Sequence, residues 1–148
     1  MQRRDFLSLT AGAAACGPFP AARDPMQIRP VNPTPGTAFA EACEISNFSR
    51  LLFVSGQVPQ IAGQPIPPDY RDQYRLAWAN VEVQLKAAGM SFDNLVKATI
   101  FLSDRALIAQ SGGLRRDILG DRTPAITIII AGIYDADWLL EIEAVAGA

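Results

Sequence analysis

The side chains that could do chemistry are few, and the absences bound them first. The 148-residue chain has no histidine. That removes Ser-His and Cys-His catalysis and imidazole metal ligation together, because each needs a ring nitrogen that titrates near neutrality or binds metal. Two cysteines, Cys16 and Cys43, are too few for a disulfide framework or a thiolate metal site. Cys43 falls on a predicted strand, where a lone thiol is a small buried hydrophobe rather than a nucleophile. No metal and no cofactor is expected. Carboxylates, guanidinium groups and main-chain turns remain. Glu141 and Glu143 stand on one side of an alternating run, Trp138 to Ala146, opposite Leu140, Ile142 and Ala144. A carboxylate so placed can orient or deprotonate water, or can be merely solvated. Ser55-Gly56-Gln57 reads as a tight turn off a strand.

The elements that would position these residues follow from periodicity. Phe39 to Ile45 and Arg50 to Val58 read as two strands, with Asn47-Phe48-Ser49 supplying the turn of a hairpin. A Gly- and Pro-rich loop leads to a helix over about Asp69 to Ala88. Asp69 is its N-cap and Gly89 its stop. Tyr74, Trp78, Val81, Leu85 and Ala88 recur at spacings of four and three, which makes that face core. Asn94 to Leu102 is a third strand. A second helix, about Ala106 to Leu119, contains Gly112 and Gly113 and is expected to be kinked, short or split. Thr123 to Ile133 holds the densest β-branched run, Ile126 to Ile130, and reads as a central strand covered on both faces. The order β-β-α-β-α-β-β is an α+β domain with helices on one face of the sheet.

Composition agrees with one globular domain: 49% apolar and 19% charged residues. A net charge of −2 gives no electrostatic footprint for nucleic acid. No apolar run approaches the roughly 18 residues of a membrane-spanning helix. The N-terminus reads as an address. Arg3-Arg4 followed by Phe6-Leu7 and a run of small residues looks like a twin-arginine export signal over 1–22. That reading implies a periplasmic or otherwise exported protein, with lipoprotein anchoring at Cys16 a minor option. Residues 23–36, with Pro25, Pro30, Pro33 and Pro35, read as a Pro-rich linker, and 37–148 as the folded domain.

Four stretches in register, LLFVSGQVP (51–59), LAWANVEVQLKAAGMSFDNLVKATIFLSD (76–104), TPA (123–125) and LEIEAVA (140–146), resemble the Rid (YjgF-type) enamine/imine deaminases. The resemblance implies a chorismate-mutase-like fold and a homotrimer with a small-molecule ligand in an inter-subunit cleft. It implies hydrolysis of imines or enamines, with water added to C=N. By the same resemblance, Glu141 is the catalytic glutamate, Ser55, Gly56 and Gln57 line the cleft, and Pro124 and Ala125 precede the position of a carboxylate-gripping arginine.

That position here is Ile126, and the place of the family's first-strand aromatic hydroxyl falls near Phe39. An aliphatic side chain offers a carboxylate no hydrogen bond in return for its desolvation. The substrate is therefore expected not to be anchored through a carboxylate there. The alternative expectation is a non-catalytic binding or scaffold trimer. Among the arginines that could stand in, Arg50, Arg105, Arg115, Arg116 and Arg122, the last lies nearest the Pro-Ala pair and is included as a substrate-binding candidate.

Overall fold

The computed structural model describes residues 24–148. The export-signal segment and Cys16 lie outside the described residues. The elements are β1 (Gln27–Pro33), β2 (Ala40–Ser46), β3 (Leu51–Gln57), α1 (Tyr70–Ala87), β4 (Leu95–Leu102), α2 (Ile108–Leu119), β5 (Ala125–Ile130) and β6 (Leu140–Gly147). One mixed sheet of six strands runs in the order β1-β2-β5-β4-β6-β3. Strand β5 is parallel to β4 and to β2, and the remaining pairs are antiparallel. Both helices lie on one face, so the α+β architecture holds.

Helix α1 forms where its punctuation puts it. Asp69 Oδ1 accepts the Asp72 N–H at 3.0 Å, satisfying a donor that the helix start would orphan. At the other end Gly89 takes φ +71°, and the Met90 N–H reaches back to the Leu85 carbonyl at 2.8 Å. Tyr74, Trp78, Val81 and Leu85 are all buried. They pack against the sheet face made by Ala98, Ile100, Leu102, Leu140, Ile142 and Ala144. Each large side chain so placed contributes about 1.5–3 kcal/mol of hydrophobic stabilisation. The segment read as a kinked or split helix is a 3-10 turn, Arg105–Leu107, capped by Asp104, followed by α2, which runs unbroken through both glycines.

Three expectations are corrected. Residues 27–33, inside the segment read as a linker, form β1 and pair with β2, with Pro30 opposite Cys43 and Pro33 opposite Ala40. The prolines are tolerated because β1 is an edge strand and its outer side needs no donors. The Asn47–Ser49 turn exists, with Asn47 at φ +55°, but joins strands that do not pair: β2 takes β1 and β5, while β3 takes β6. The Ile-rich strand is internal but not covered on both faces, since Thr127, Ile129 and Ile130 are exposed. The most buried strands are β4 and β6.

Strand β2 meets β5 at a single bridge, Ala40 with Ala125, reinforced by the Ala40 N–H to the Pro124 carbonyl at 3.0 Å. It then crosses the ends of the inner strands. Cys43 Sγ donates to the Thr123 carbonyl at 3.4 Å, and Ile45 lies so close to Gly147 that a Cβ there would overlap it.

Candidate functional site

The predicted site residues fall into two groups. The first lies where β3 ends and β6 begins. The Ser55-Gly56-Gln57 stretch, read as a tight turn, is the end of β3: Gln57 is opposite Ile142, and a register shift between Val54 and Gln57 brings the stretch over Glu141. A Cβ added at Gly56 would overlap the Glu141 carboxylate, so the absence of a side chain is what makes room for the acid. Glu141 is half-buried, and among the described residues its carboxylate accepts no hydrogen bond. Gln57 turns back on its own loop, donating to the Ser55 carbonyl at 3.0 Å.

Helix α1 holds this corner from the other side. Gln73, 2% exposed, donates to the carbonyls of Pro67 at 2.9 Å and Asp137 at 2.8 Å, and its Oε1 accepts the Leu139 N–H at 2.8 Å. Asn80 donates to the Val58 carbonyl at 2.8 Å. Two helix side chains thus tether the loop leaving β3 and the loop entering β6. The sequence reading missed both. The signal was there: Gln73 and Asn80 lie on or beside the apolar stripe of α1, where an amide needs partners.

The second group gathers where β2 crosses β5. The Ala40–Ala125 bridge sets Phe39, Pro124, Ala125 and Ile126 together. Ile126 pairs with Ala98 and packs against the core on the helix side. Glu141 pairs with Phe101, three residues further along β4, on the opposite face. With β4 between β5 and β6, the two groups are also about 10 Å apart across the sheet, from a strand spacing of about 4.8 Å. One chain does not bring Ile126 and Glu141 into one site.

Arg122, the cation the sequence put forward for the substrate, already has partners within the chain. Its Nε donates to Asp93 Oδ1 at 2.6 Å and its Nη1 to the Leu119 carbonyl at 3.1 Å. That guanidinium holds the Asp93 carboxyl below its ordinary value. Cys43 is half-buried, and burial pushes its thiol up, which suits the small hydrophobe and not a nucleophile.

The face of the sheet away from the helices carries a shallow groove of about 350 Å³. Ser55, Lys97, Thr99 and Glu143 line it, with Phe53, which is 73% exposed, at its edge. Glu143, treated in the sequence only as the neighbour of Glu141, points into this groove along with Lys97. The period-two pattern of β4 and β6 could have found both. Among the described residues no cluster of ligating side chains could hold a metal ion, and no helix is long and apolar enough to cross a membrane.

Comparison with known proteins places this geometry. The family model described as endoribonuclease L-PSP matches residues 31–148. A RutC family protein of Pyrococcus horikoshii is 31% identical over 116 residues, covering 77% of this chain and 90% of the relative. TdcF of Escherichia coli, named as a candidate reactive intermediate deaminase, is 32% identical over 105 residues, covering 68% of this chain and 81% of its own. The crystal structure of TdcF with bound serine superposes with a TM-score of 0.62 at 28% identity, covering 74% of this chain and 87% of that one. A Rid family protein from Yersinia pestis reaches a TM-score of 0.66 at 24% identity, covering 82% of this chain and 98% of that one, a likeness of fold. With the motif order, the sheet order and a family match over residues 31–148 in agreement, the chain belongs to the endoribonuclease L-PSP family, that of the YjgF, RutC and Rid proteins.

Proposed function

We propose that this protein is a deaminase-type hydrolase of imines or enamines, working in clefts between the subunits of a homotrimer, on a substrate that residue 126 does not grip through a carboxylate. The observation that carries the reading is the Glu141 carboxylate seated over Gly56, with no hydrogen bond of its own among the described residues. A carboxylate so left is free to accept a proton from water. As water adds to C=N, Glu141 takes one of its protons. Glu141 passes that proton to the nitrogen to give the carbinolamine, then carries the hydroxyl proton to the same nitrogen as C=O forms, and the nitrogen leaves as ammonia. No redox step or cofactor is needed for that balance. The relatives named as deaminases support the reaction class, and the serine bound by TdcF supports a small polar ligand.

Two features support assembly. The half-site at Ile126 and the half-site at Glu141 face opposite sides of one chain, so a complete cleft needs a second copy. The uncovered sheet face also carries Leu51, Phe53 and Ile129 exposed. Arg3-Arg4 and the small-residue run after them support export of the folded chain. A second reading, a trimer that binds a small molecule without turning it over, is favoured by one observation: Ile126 is apolar and packs into the core.

The test is ammonia release from freshly generated 2-iminopropanoate by the wild-type domain, Glu141→Gln and Ile126→Arg, against buffer. The reading expects wild type to exceed buffer and Glu141→Gln to fall back to it. Wild type and Glu141→Gln both at the buffer rate overturn it in favour of the binding trimer. A gain in Ile126→Arg alone identifies a deaminase cleft that lacks its anchor.

A further inference from the structure

We propose that the groove on the open face of the sheet is a binding site for a small acid that carries an N–H-bearing nitrogen on the carbon next to its carboxylate. Lys97 takes the carboxylate and Glu143 accepts from the nitrogen. This rests on the hydrolase reading, since a small 2-imino acid is such a molecule, and it assigns to Lys97 the anchoring charge that position 126 does not offer.

The strand register sets the two charges side by side. Lys97 is opposite Val145 and Thr99 is opposite Glu143, so Lys97 and Glu143 are diagonal neighbours on the face away from the helices. Such neighbours have Cα atoms about 7–8 Å apart, within reach of long side chains. Both are exposed, and among the described residues neither is in an ion pair. Thr99, 8% exposed, and Ser55, from β3, also line the groove. Neither hydroxyl makes a hydrogen bond among the described residues.

Room and chemistry select the occupant. The volume of about 350 Å³ lies within the range of small-molecule pockets, roughly 300–1,000 Å³. An apolar plug, such as a side chain from another copy, would cover four polar groups and offer them nothing. An acid without the nitrogen meets the like charge of Glu143 with no bond in return, and an amine without the carboxylate does the same at Lys97. A molecule with both groups answers both charges with charge-assisted hydrogen bonds and leaves the Ser55 and Thr99 hydroxyls for its remaining polar atoms. Phe53 and Val145 give an apolar wall for a short side chain. The groove also leads to the acid of the hydrolase reading. Glu141 faces the same side of β6 two residues before Glu143, and Gly56, which makes room for its carboxylate, directly follows Ser55.

The ¹⁵N-labelled full chain is titrated by NMR with three probes. Alanine has both groups and does not hydrolyse, propanoate lacks the nitrogen, and alaninamide lacks the carboxylate. The expected result is saturable shifts of the Lys97, Thr99 and Glu143 amide signals with alanine, weaker by roughly tenfold or more with either of the others. Lys97→Met should abolish alanine binding. Glu143→Gln should weaken alanine and strengthen propanoate, because a repulsion is removed. Equal binding of alanine and propanoate, unchanged alanine binding in Lys97→Met, or no response to alanine at millimolar concentration overturns the proposal; in the last case the two charges serve each other or a second copy. If a variant does not fold, the ratio of the three probes in wild type decides. Turnover of 2-iminopropanoate is measured alongside. Turnover with no dependence on Lys97 sinks the groove alone, and Lys97-dependent alanine binding without turnover in wild type sinks the hydrolase reading alone.

Discussion

Gln73 is the residue whose loss the structure prices most directly. Its side-chain amide makes three hydrogen bonds of 2.8–2.9 Å at 2% exposure, to the loop after β3 and the loop before β6. Gln73→Leu keeps the volume and removes all three. At a net contribution of about 1 kcal/mol each, the loss is about 3 kcal/mol. The Pro67 and Asp137 carbonyls lie on surface loops and can recover water, and the Leu139 N–H is only half-buried, so no large desolvation cost adds to that loss. For a domain of this size that amounts to a fall in Tm of roughly 10 °C, or a urea midpoint lower by about 1.5–2 M. Urea unfolding followed by circular dichroism and by tryptophan fluorescence gives both midpoint and slope; the slope should not change. Gln73→Glu adds a sign. It keeps an acceptor for Leu139 but aims a carboxylate at two carbonyl oxygens, so at pH 7 it should be worse than Leu. It should recover as the pH falls, because the protonated acid regains a donor. A Gln73→Leu variant within about 1 kcal/mol of wild type would refute the reasoning, since the three bonds would then be worth no more than water offers.

Gly56→Ala should displace Glu141, costing about 1–3 kcal/mol of stability by overpacking and lowering ammonia release more than the stability loss explains; paired urea and turnover measurements check it. Asp69→Ala should lower the urea midpoint at pH 7 by removing the cap on α1. Asp69 and Asp93 are both held below the ordinary Asp value, the first chiefly by the Asp72 N–H and the second chiefly by Arg122. Each therefore stabilises the fold above the ordinary Asp pKa near 3.9 and stops doing so as the pH falls through its lowered value, so the gap between Asp69→Ala and wild type should close in strong acid. Ile142→Ala, at a fully buried position against α1, should cost about 3–4 kcal/mol by cavity formation, read from the same midpoint.

How much of this was legible in the chain depends on range. Helix α1 was readable to within a residue because its cap, its apolar spacing and its terminal glycine are local and agree. Strands β4 and β6 were readable for the same reason. Pairing was not. The turn at Asn47 says that the chain reverses, not which neighbour the next strand takes. The prolines at 30 and 33 argue against an inner strand without saying that an edge strand is forbidden. Strand β5 was misjudged because five consecutive β-branched residues fit a doubly covered strand and equally one whose second face awaits a partner. For the site, resemblance located Glu141 and Gly56, and the structure joins them. It could not reveal that Ile126 and Glu141 face opposite ways, which depends on register against β4.

The single bridge between β2 and β5 has a consequence for how the chain behaves in solution. Past Ala125 the outer margin of β5 presents main-chain donors and acceptors with no strand against them among the described residues, beneath a row of isoleucines. Such a margin is adhesive to any extended peptide. A freshly diluted or newly made chain is therefore prone to disordered stacking along that margin, which should show as turbidity that rises with temperature. Lysine at Ile129 would blunt that margin, and would keep lone chains in solution for the same reason that it would keep them apart.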